Sequence, residues 1–418
     1  MKGSQIFWIL FIGLFLGACS QETPIDVKRD SGHNEVSNKI SLEEALSNAN
    51  ALFSQLEGST RAKERRVSSV AYLGSTQNTR STADNDTMYY LVNYAEDSGF
   101  AVLSANKEIG EVFAIAPEGN LAVEDTVDNR GLAYFFRGLN SLTQTYNASQ
   151  VITPSKPFNP FDSIANIEGF RLPKLNGNVK CWPGNKLSPL YGKYANISIS
   201  ISQAMTYFKK PSIWTSWYYP NEKRTMNWEL INSYKFSSSS QITDPGVVEI
   251  EALISAVEET LIPNGDYFFY EDMEHFGGTY GYEIGQLYTS AEDGCGHEHQ
   301  EPLSSKAADW RKALNEDRII VSMADFGLYW TNVTEMVSWV VDGYVKYKEG
   351  TCSVLVPYNA DTLFHCVWGR GSTCNGYFAF MSDTEYFVPT PIAKDIDLNY
   401  NMPLDSNVRP LHYTFKAN

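Results

Sequence analysis

The chain has 418 residues, 33 Lys and Arg against 49 Asp and Glu, and a formal net charge of −16. Such a balance repels phosphate backbones and excludes nucleic acid as a partner; no basic stripe with interleaved aromatics offsets it. With 25 Tyr, 22 Phe and 9 Trp a large core is easily built, and the length allows one large domain or two ordinary ones.

Met1–Cys19 reads as a targeting segment. Lys2 supplies a short positive region, Ile6–Phe15 an apolar core, and Leu16-Gly17-Ala18-Cys19 a small-residue end. The apolar run is too short for a membrane span. The pattern resembles a bacterial lipoprotein signal, which implies lipid on Cys19; an ordinary secretory signal is the alternative. Ser20-Gln21-Glu22 after the cysteine points to the outer membrane, with the periplasmic or cell-surface side open. Residues 20–39 are polar and read as a tether.

Ser41–Leu56 is expected to be an amphipathic helix, opened by a capping box of Ser41 and Glu44. Lys63–Arg66 is a short basic run that reads as a solvated loop. A strand is expected around Val67–Tyr72. Tyr89–Tyr94, Phe100–Leu103 and Ile109–Ile115 alternate like antiparallel strands, with turns at Glu96–Gly99 and Pro117–Asn120. Gly131–Tyr146 reads as a helix. Residues 40–150 thus form a compact α+β module. Val151–Phe170, with Pro154, Pro157 and Pro160, reads as a connector to a second domain at 171–388.

In that domain Ala195–Pro211 is ambiguous. Ile197, Ile199 and Ile201 alternate with serines, as in a strand. Ile197, Ile201, Ala204, Met205 and Phe208 also fall at helical spacing behind Asn196, a good N-cap, and Pro211 is a stop signal. The caps favour the helix. Trp214, Trp217, Tyr218 and Tyr219 form an aromatic loop. Ile250–Ile262 and Ser304–Glu316 read as helices; Arg318–Met323, Val337–Val341 and Ala379–Met381 read as strands. Residues 389–418 form a polar tail with a final strand at Leu411–Phe415.

Residues 40–150 resemble the inhibitory prodomain of the streptopain family of papain-like cysteine peptidases. Tyr89–Tyr94, Ser98–Asn106, Val112–Ile115 and Glu118-Gly119-Asn120 carry the resemblance. Three blocks of the second domain resemble the family's peptidase domain, in the right order. They are Ala195–Pro211, Glu335–Tyr344 and His365–Phe378. The resemblance implies an α+β fold: a papain-like domain whose cleft is covered by the prodomain.

With Gln203 and Pro211 fixing the register, the family's nucleophilic cysteine falls on Asn196, its general-base histidine on Val337, and the following polar asparagine on Val367. An amide is no nucleophile, and valine neither moves a proton nor orients an imidazole. Gln203, Trp339, Asp342, Gly343, Trp368 and Gly369 keep the cleft scaffold. This implies a catalytically degenerate member with no intact catalytic residue, whose expected partner is a peptide or a related peptidase.

Other features bear on alternatives. Cys181 reads as a buried or bridged thiol and Cys366 as a half-cystine, and a displaced nucleophile at either would leave an active cysteine peptidase. The cluster Cys352–Cys374 could hold one disulfide, and the pattern is left open. The aromatic loop at Trp214–Tyr219 would serve a surface adhesin or glycan binder. Asp293–Glu301 holds a His-x-His but reads as a Gly-rich loop rather than a metal site. No cofactor is implied. Asn-x-Ser/Thr matches at Asn147, Asn196 and Asn332 carry no weight in a bacterial lipoprotein.

Overall fold

The computed structural model describes residues 39–57, 65–74, 87–106, 112–122, parts of 125–140, 167–183, 195–215, 222–261, 270–287, 291–292, 298–299, 303–328, 333–347, 359–369, 374–380 and 411–418. The signal segment, the tether, the Pro-rich stretch 151–166, Cys295, His297, Cys352 and most of the tail lie outside the described residues.

Helix α1 (Leu42–Leu56) starts as expected: the Ser41 hydroxyl accepts the Glu44 N–H at 3.2 Å. Its stripe of Ala45, Ala49, Leu52 and Phe53 is buried. Four antiparallel strands follow: β1 (Val67–Gly74), β2 (Thr87–Tyr94), β3 (Phe100–Ser104) and β4 (Val112–Ala116). Arg65 is buried between the Glu57 carboxylate and the Ser98 carbonyl, with its guanidinium 4.0 Å above the Phe53 ring. Of the helix expected at 131–146, positions 131–132, 135–136 and 138–140 are helical, and the remainder lies outside the described residues.

The C-terminal region begins with β5 (Ile167–Arg171) and α2 (Gly177–Lys180), then α3 (Ala195–Phe208), the small hairpin β6 (Ile213–Thr215) and β7 (Lys223–Thr225), and helices α4 (Trp228–Ser233), α5 (Pro245–Leu261) and α6 (Tyr270–Tyr280). Strands β8 (Tyr282–Leu287), β9 (Ala291–Glu292) and β10 (Glu298–His299) precede α7 (Leu303–Asn315). The last strands are β11 (Ile319–Leu328), β12 (Val333–Tyr347), β13 (Asn359–Val367), β14 (Gly376–Phe380) and β15 (Leu411–Ala417).

Among the described residues one sheet of eleven strands runs β1-β2-β3-β4-β14-β13-β12-β11-β15-β8, with β5 beside the far end of β12. All its pairings are antiparallel. Side chains alternate across a strand, so the sheet has two cores. Ile319, Val321, Met323, Val340, Tyr413 and Phe415 face a core with α3, α5 and α6. Ile320, Trp339, Val341 and Val345 belong to a second core with α7 and the whole N-terminal region. The fold is α+β, mixed helix and antiparallel sheet, as the sequence led us to expect.

Three readings are corrected. The end of the stretch read as connector is β5, paired with β12 through Arg171↔Tyr344 and Phe170↔Val345. The end of the polar tail is an interior strand: β15 lies between β11 and β8, and its alternate residues Tyr413 and Phe415 are fully buried. Trp214 is not part of an exposed aromatic loop; it is buried and stacked on Tyr280 at 3.9 Å. Trp217, Tyr218 and Tyr219 lie outside the described residues.

Candidate functional site

Helix α3 is buried all round. Every residue from Ile197 to Thr206 is in the interior, which explains why neither a strand nor a one-sided helical pattern fits its sequence. The helix begins at Ala195, so Asn196 is its second residue rather than a cap ahead of it. The chain leaves the helix through Lys209 in the left-handed conformation (φ 55°), whose N–H donates to the Met205 carbonyl at 2.9 Å. Gln203 anchors α2: its Nε2 donates to the Val179 carbonyl at 3.0 Å.

Strand β12 lies against α3. The Ser338 hydroxyl donates to the Ser200 hydroxyl at 2.8 Å in the interior. Val337, one residue earlier, pairs with Ala324 of β11. Val367, at the end of β13, pairs with Val340 of β12 and is fully buried in the same apolar core as Ile197, Ile199 and Ile201. The backbone therefore brings Val337 and Val367 within three residues of each other on adjacent strands, next to α3. Among the described residues, Val367 belongs to an apolar cluster, where a polar side chain would need a partner to be tolerated.

Three residues further along the same strand pair the chemistry reverses. The β12–β13 register slips between Val341↔Cys366 and Gly343↔His365, leaving Asp342 as the extra residue of a bulge. Asp342 is fully buried, and each carboxylate oxygen has a donor. Oδ1 meets His365 Nδ1 at 2.6 Å, and Oδ2 accepts the Leu175 N–H at 2.8 Å. An ionised carboxylate only accepts, so Nδ1 carries the proton. Burial pushes the His365 imidazole below its ordinary range, against the opposing pull of Asp342. Burial also acts to raise the Asp342 carboxyl, but His365, Lys180 and the Leu175 N–H together outweigh it and leave the carboxyl below its usual range. The pair is therefore a carboxylate held by a neutral imidazole.

The bulge also admits the chain that enters this region. A Cβ on Gly343 would meet the Arg171 carbonyl oxygen at 2.7 Å. That segment is clamped to the end of α7: Arg171 and Lys174 each lie 3.0 Å from Asp317, and Tyr207 of α3 donates to the same carboxylate at 2.9 Å. Burial pulls the Lys174 ammonium down to about 8 despite that partner. The Asp342–His365 corner is thus a folding element that positions β5, α2 and the β12–β13 bulge.

Trp339 and Trp368 lie 5.5 Å apart on the face of the sheet that carries the N-terminal region. The Trp368 backbone N–H donates to Asn375 Oδ1 at 3.0 Å, and Asn375 Nδ2 donates to the Lys180 carbonyl at 3.0 Å. Gly369 follows with φ 72°. Cys181 and Cys366 carry free thiols, so Cys366 is not the half-cystine it was read as. Cys181 is half-buried rather than enclosed. Cys366 is enclosed, on the face of the sheet away from Val367. Burial, together with the nearby Asp342 charge, pushes its thiol well above the ordinary range, and its Sγ donates weakly to the Phe364 carbonyl at 3.6 Å. A thiol held protonated in this way is a poor nucleophile.

Sequence reasoning singled out Asp342 but not its dependence on His365, nor the Ser200–Ser338 pair. A signal was present: each is a polar residue inside an otherwise apolar run, and buried polar groups need partners.

The fold and this corner define a helix-and-antiparallel-sheet protein in which a small α+β region and a larger one share a sheet. Residues 37–141 match the family model of the Spi protease inhibitor, and the resemblance read in the N-terminal region falls on this match. Two solved structures from Prevotella intermedia are similar. A fragment of prointerpain A with a single cysteine-to-alanine mutation shares 16% identity at TM-score 0.46, covering 83% of this chain and 98% of that one. Active wild-type interpain A cysteine protease shares 16% identity at TM-score 0.32, covering 54% of this chain and 90% of that one. A search of curated proteins finds no match.

Proposed function

We propose that this chain is a lipid-anchored streptopain-type peptidase homologue without peptidase activity, acting at the outer membrane as a peptide- or peptidase-binding protein. The observation that carries it is Val367. The position that would orient a catalytic imidazole is a fully buried valine packed among Ile197, Ile199 and Val340. With Asn196 and Val337 at the other two positions, the constellation lacks a nucleophile, a base and an orienting group. The Spi-type N-terminal region makes a cysteine peptidase the first partner to test.

The purified protein is expected to leave casein intact, and Asn196→Cys with Val337→His is expected not to restore hydrolysis while Val367 stays. Hydrolysis by the wild type that a thiol alkylator abolishes would refute the reading. If it does so, Cys181→Ser and Cys366→Ser identify a displaced nucleophile. Anchoring is tested separately: Cys19→Ala is expected to move the protein from the membrane fraction to the soluble one.

A further inference from the structure

We infer that the N-terminal region is a permanent part of the fold rather than a releasable cover, docked through a seam that requires glycine at two positions, Gly131 and Gly376. Its strand β4 continues the C-terminal region's sheet by pairing with β14, Ile115 opposite Tyr377 and Ala114 opposite Phe378. At this junction a Cβ on Gly376 would meet Ala116 Cβ at 2.7 Å and the Ile115 carbonyl oxygen at 2.9 Å. At the second contact a Cβ on Gly131 would lie 2.5 Å from the Trp368 ring. Both distances are below those at which a real Cβ sits, so backbone meets strand in one case and indole in the other.

Between these points the seam is buried and aromatic. Phe135 packs edge-on against Phe378 at 5.0 Å, Phe378 against Trp368 at 5.0 Å, and Phe100 lies 6.1 Å from Phe378. Phe100, Phe135, Trp368, Tyr377 and Phe378 are all nearly inaccessible and belong to one core that both regions build. Releasing residues 40–140 would expose this aromatic surface and leave β14 as an open edge strand, both strongly unfavourable. The face of the N-terminal region that covers Trp368 is therefore occupied by its own chain, and any peptidase partner must bind elsewhere on the molecule.

A specific protease site inserted within 151–166 tests this, because cutting there breaks the covalent link and leaves every seam residue named above unaltered. The two fragments of the cut wild type are expected to co-elute in native size-exclusion chromatography as one species. Gly131→Leu and Gly376→Val are expected to raise the concentration at which half the complex separates by at least about tenfold, since overpacking a tight contact costs on that order. Separation of the cut wild-type fragments would overturn the proposal. So would either variant, shown by near-ultraviolet circular dichroism to fold before cutting, that separates at the wild-type concentration. Where leucine or valine blocks folding of the uncut chain, Gly131→Ala, whose Cβ meets the same ring, is read in its place. The assay does not depend on hydrolytic activity, so detecting peptidase turnover would leave it standing.

Discussion

The β12–β13 strand pair has two ends that solve burial in opposite ways. At Val340↔Val367 the strands meet in hydrocarbon beside α3. At Gly343↔His365 they meet around a buried carboxylate with every oxygen partnered. Both ends are equally cut off from water, so the difference lies in what the neighbours offer. A buried charge persists only where donors surround it, and the bulge at Asp342 gathers an imidazole and a backbone N–H on one carboxylate. At position 367 an apolar residue sits in an apolar cluster instead. The strand pair therefore keeps polarity where polar atoms hold chain segments together and packs hydrocarbon three residues away.

The largest effect should come from the polar end. Asp342→Ala leaves two buried donors, the His365 Nδ1–H and the Leu175 N–H, without an acceptor and is expected to cost about 2–6 kcal/mol, about 1–3 for each. Urea unfolding that moves its midpoint at unchanged slope would measure this. A loss below about 1 kcal/mol would mean that water or another group replaces the carboxylate.

The same corner sets a pH dependence. His365 has its pKa lowered in the fold and Asp342 likewise, so for both the unfolded chain binds protons more readily. Their contribution is complete above the ordinary histidine value of about 6.5. As pH falls, the His365 part is lost first, on the way down through its folded-state pKa, and the Asp342 part only below the ordinary carboxylate range. Stability is thus expected to fall on acidification from about pH 6.5, and His365→Gln should flatten the slope between about pH 6.5 and 5. An unchanged slope in that variant would remove His365 as its source.

Much of this was legible in the sequence, and what was not has physical reasons. The Ser41 cap, the alternation of β2 and β3 and the stripe of α7 are local signals, and each produced its element. The strand β15 was readable as a strand but not as an interior one, because its place between β11 and β8 depends on pairing with residues 88–135 positions away in the chain. Helix α3 resisted a single period because all its faces are buried. Strands β8 and β13 and helix α6 went unread: Tyr282–Leu287 and Tyr270–Tyr280 have mixed polarity, and the polar Thr362 and His365 break the β13 run. At the site, the motif pointed to Asn196, Val337 and Val367, but only the fold shows Val367 in hydrocarbon and Asp342 on His365.

The apolar end gives the next effect. Val367→Asn introduces the residue type that the family resemblance expects, yet its amide would be buried among Ile197, Ile199 and Val340. A loss of about 1–3 kcal/mol is expected, the cost of an unpartnered buried amide. A neutral outcome would show polar partners or water within reach of position 367, which would reopen the case for a functional cleft.

The smallest effect compares neighbours on α3 itself. Ser200 accepts a hydrogen bond from Ser338, whereas the buried hydroxyls of Ser198 and Ser202 have no partner among the described residues. Ser200→Ala is expected to cost about 1 kcal/mol, because it takes the acceptor from a buried donor. Ser202→Ala removes an unsatisfied hydroxyl and adds the best helix former, so it should be neutral or stabilise by up to about 1 kcal/mol. The double change Ser200→Ala with Ser338→Ala should recover most of the Ser200→Ala loss, since both ends of the bond go together. Opposite signs at positions 200 and 202, two residues apart on one helix with the same side chain, would show that partnering rather than burial sets the cost of polarity along α3. Equal losses at both would mean that Ser202 has a partner, and that the interior around the head of α3 is more polar than an apolar core allows.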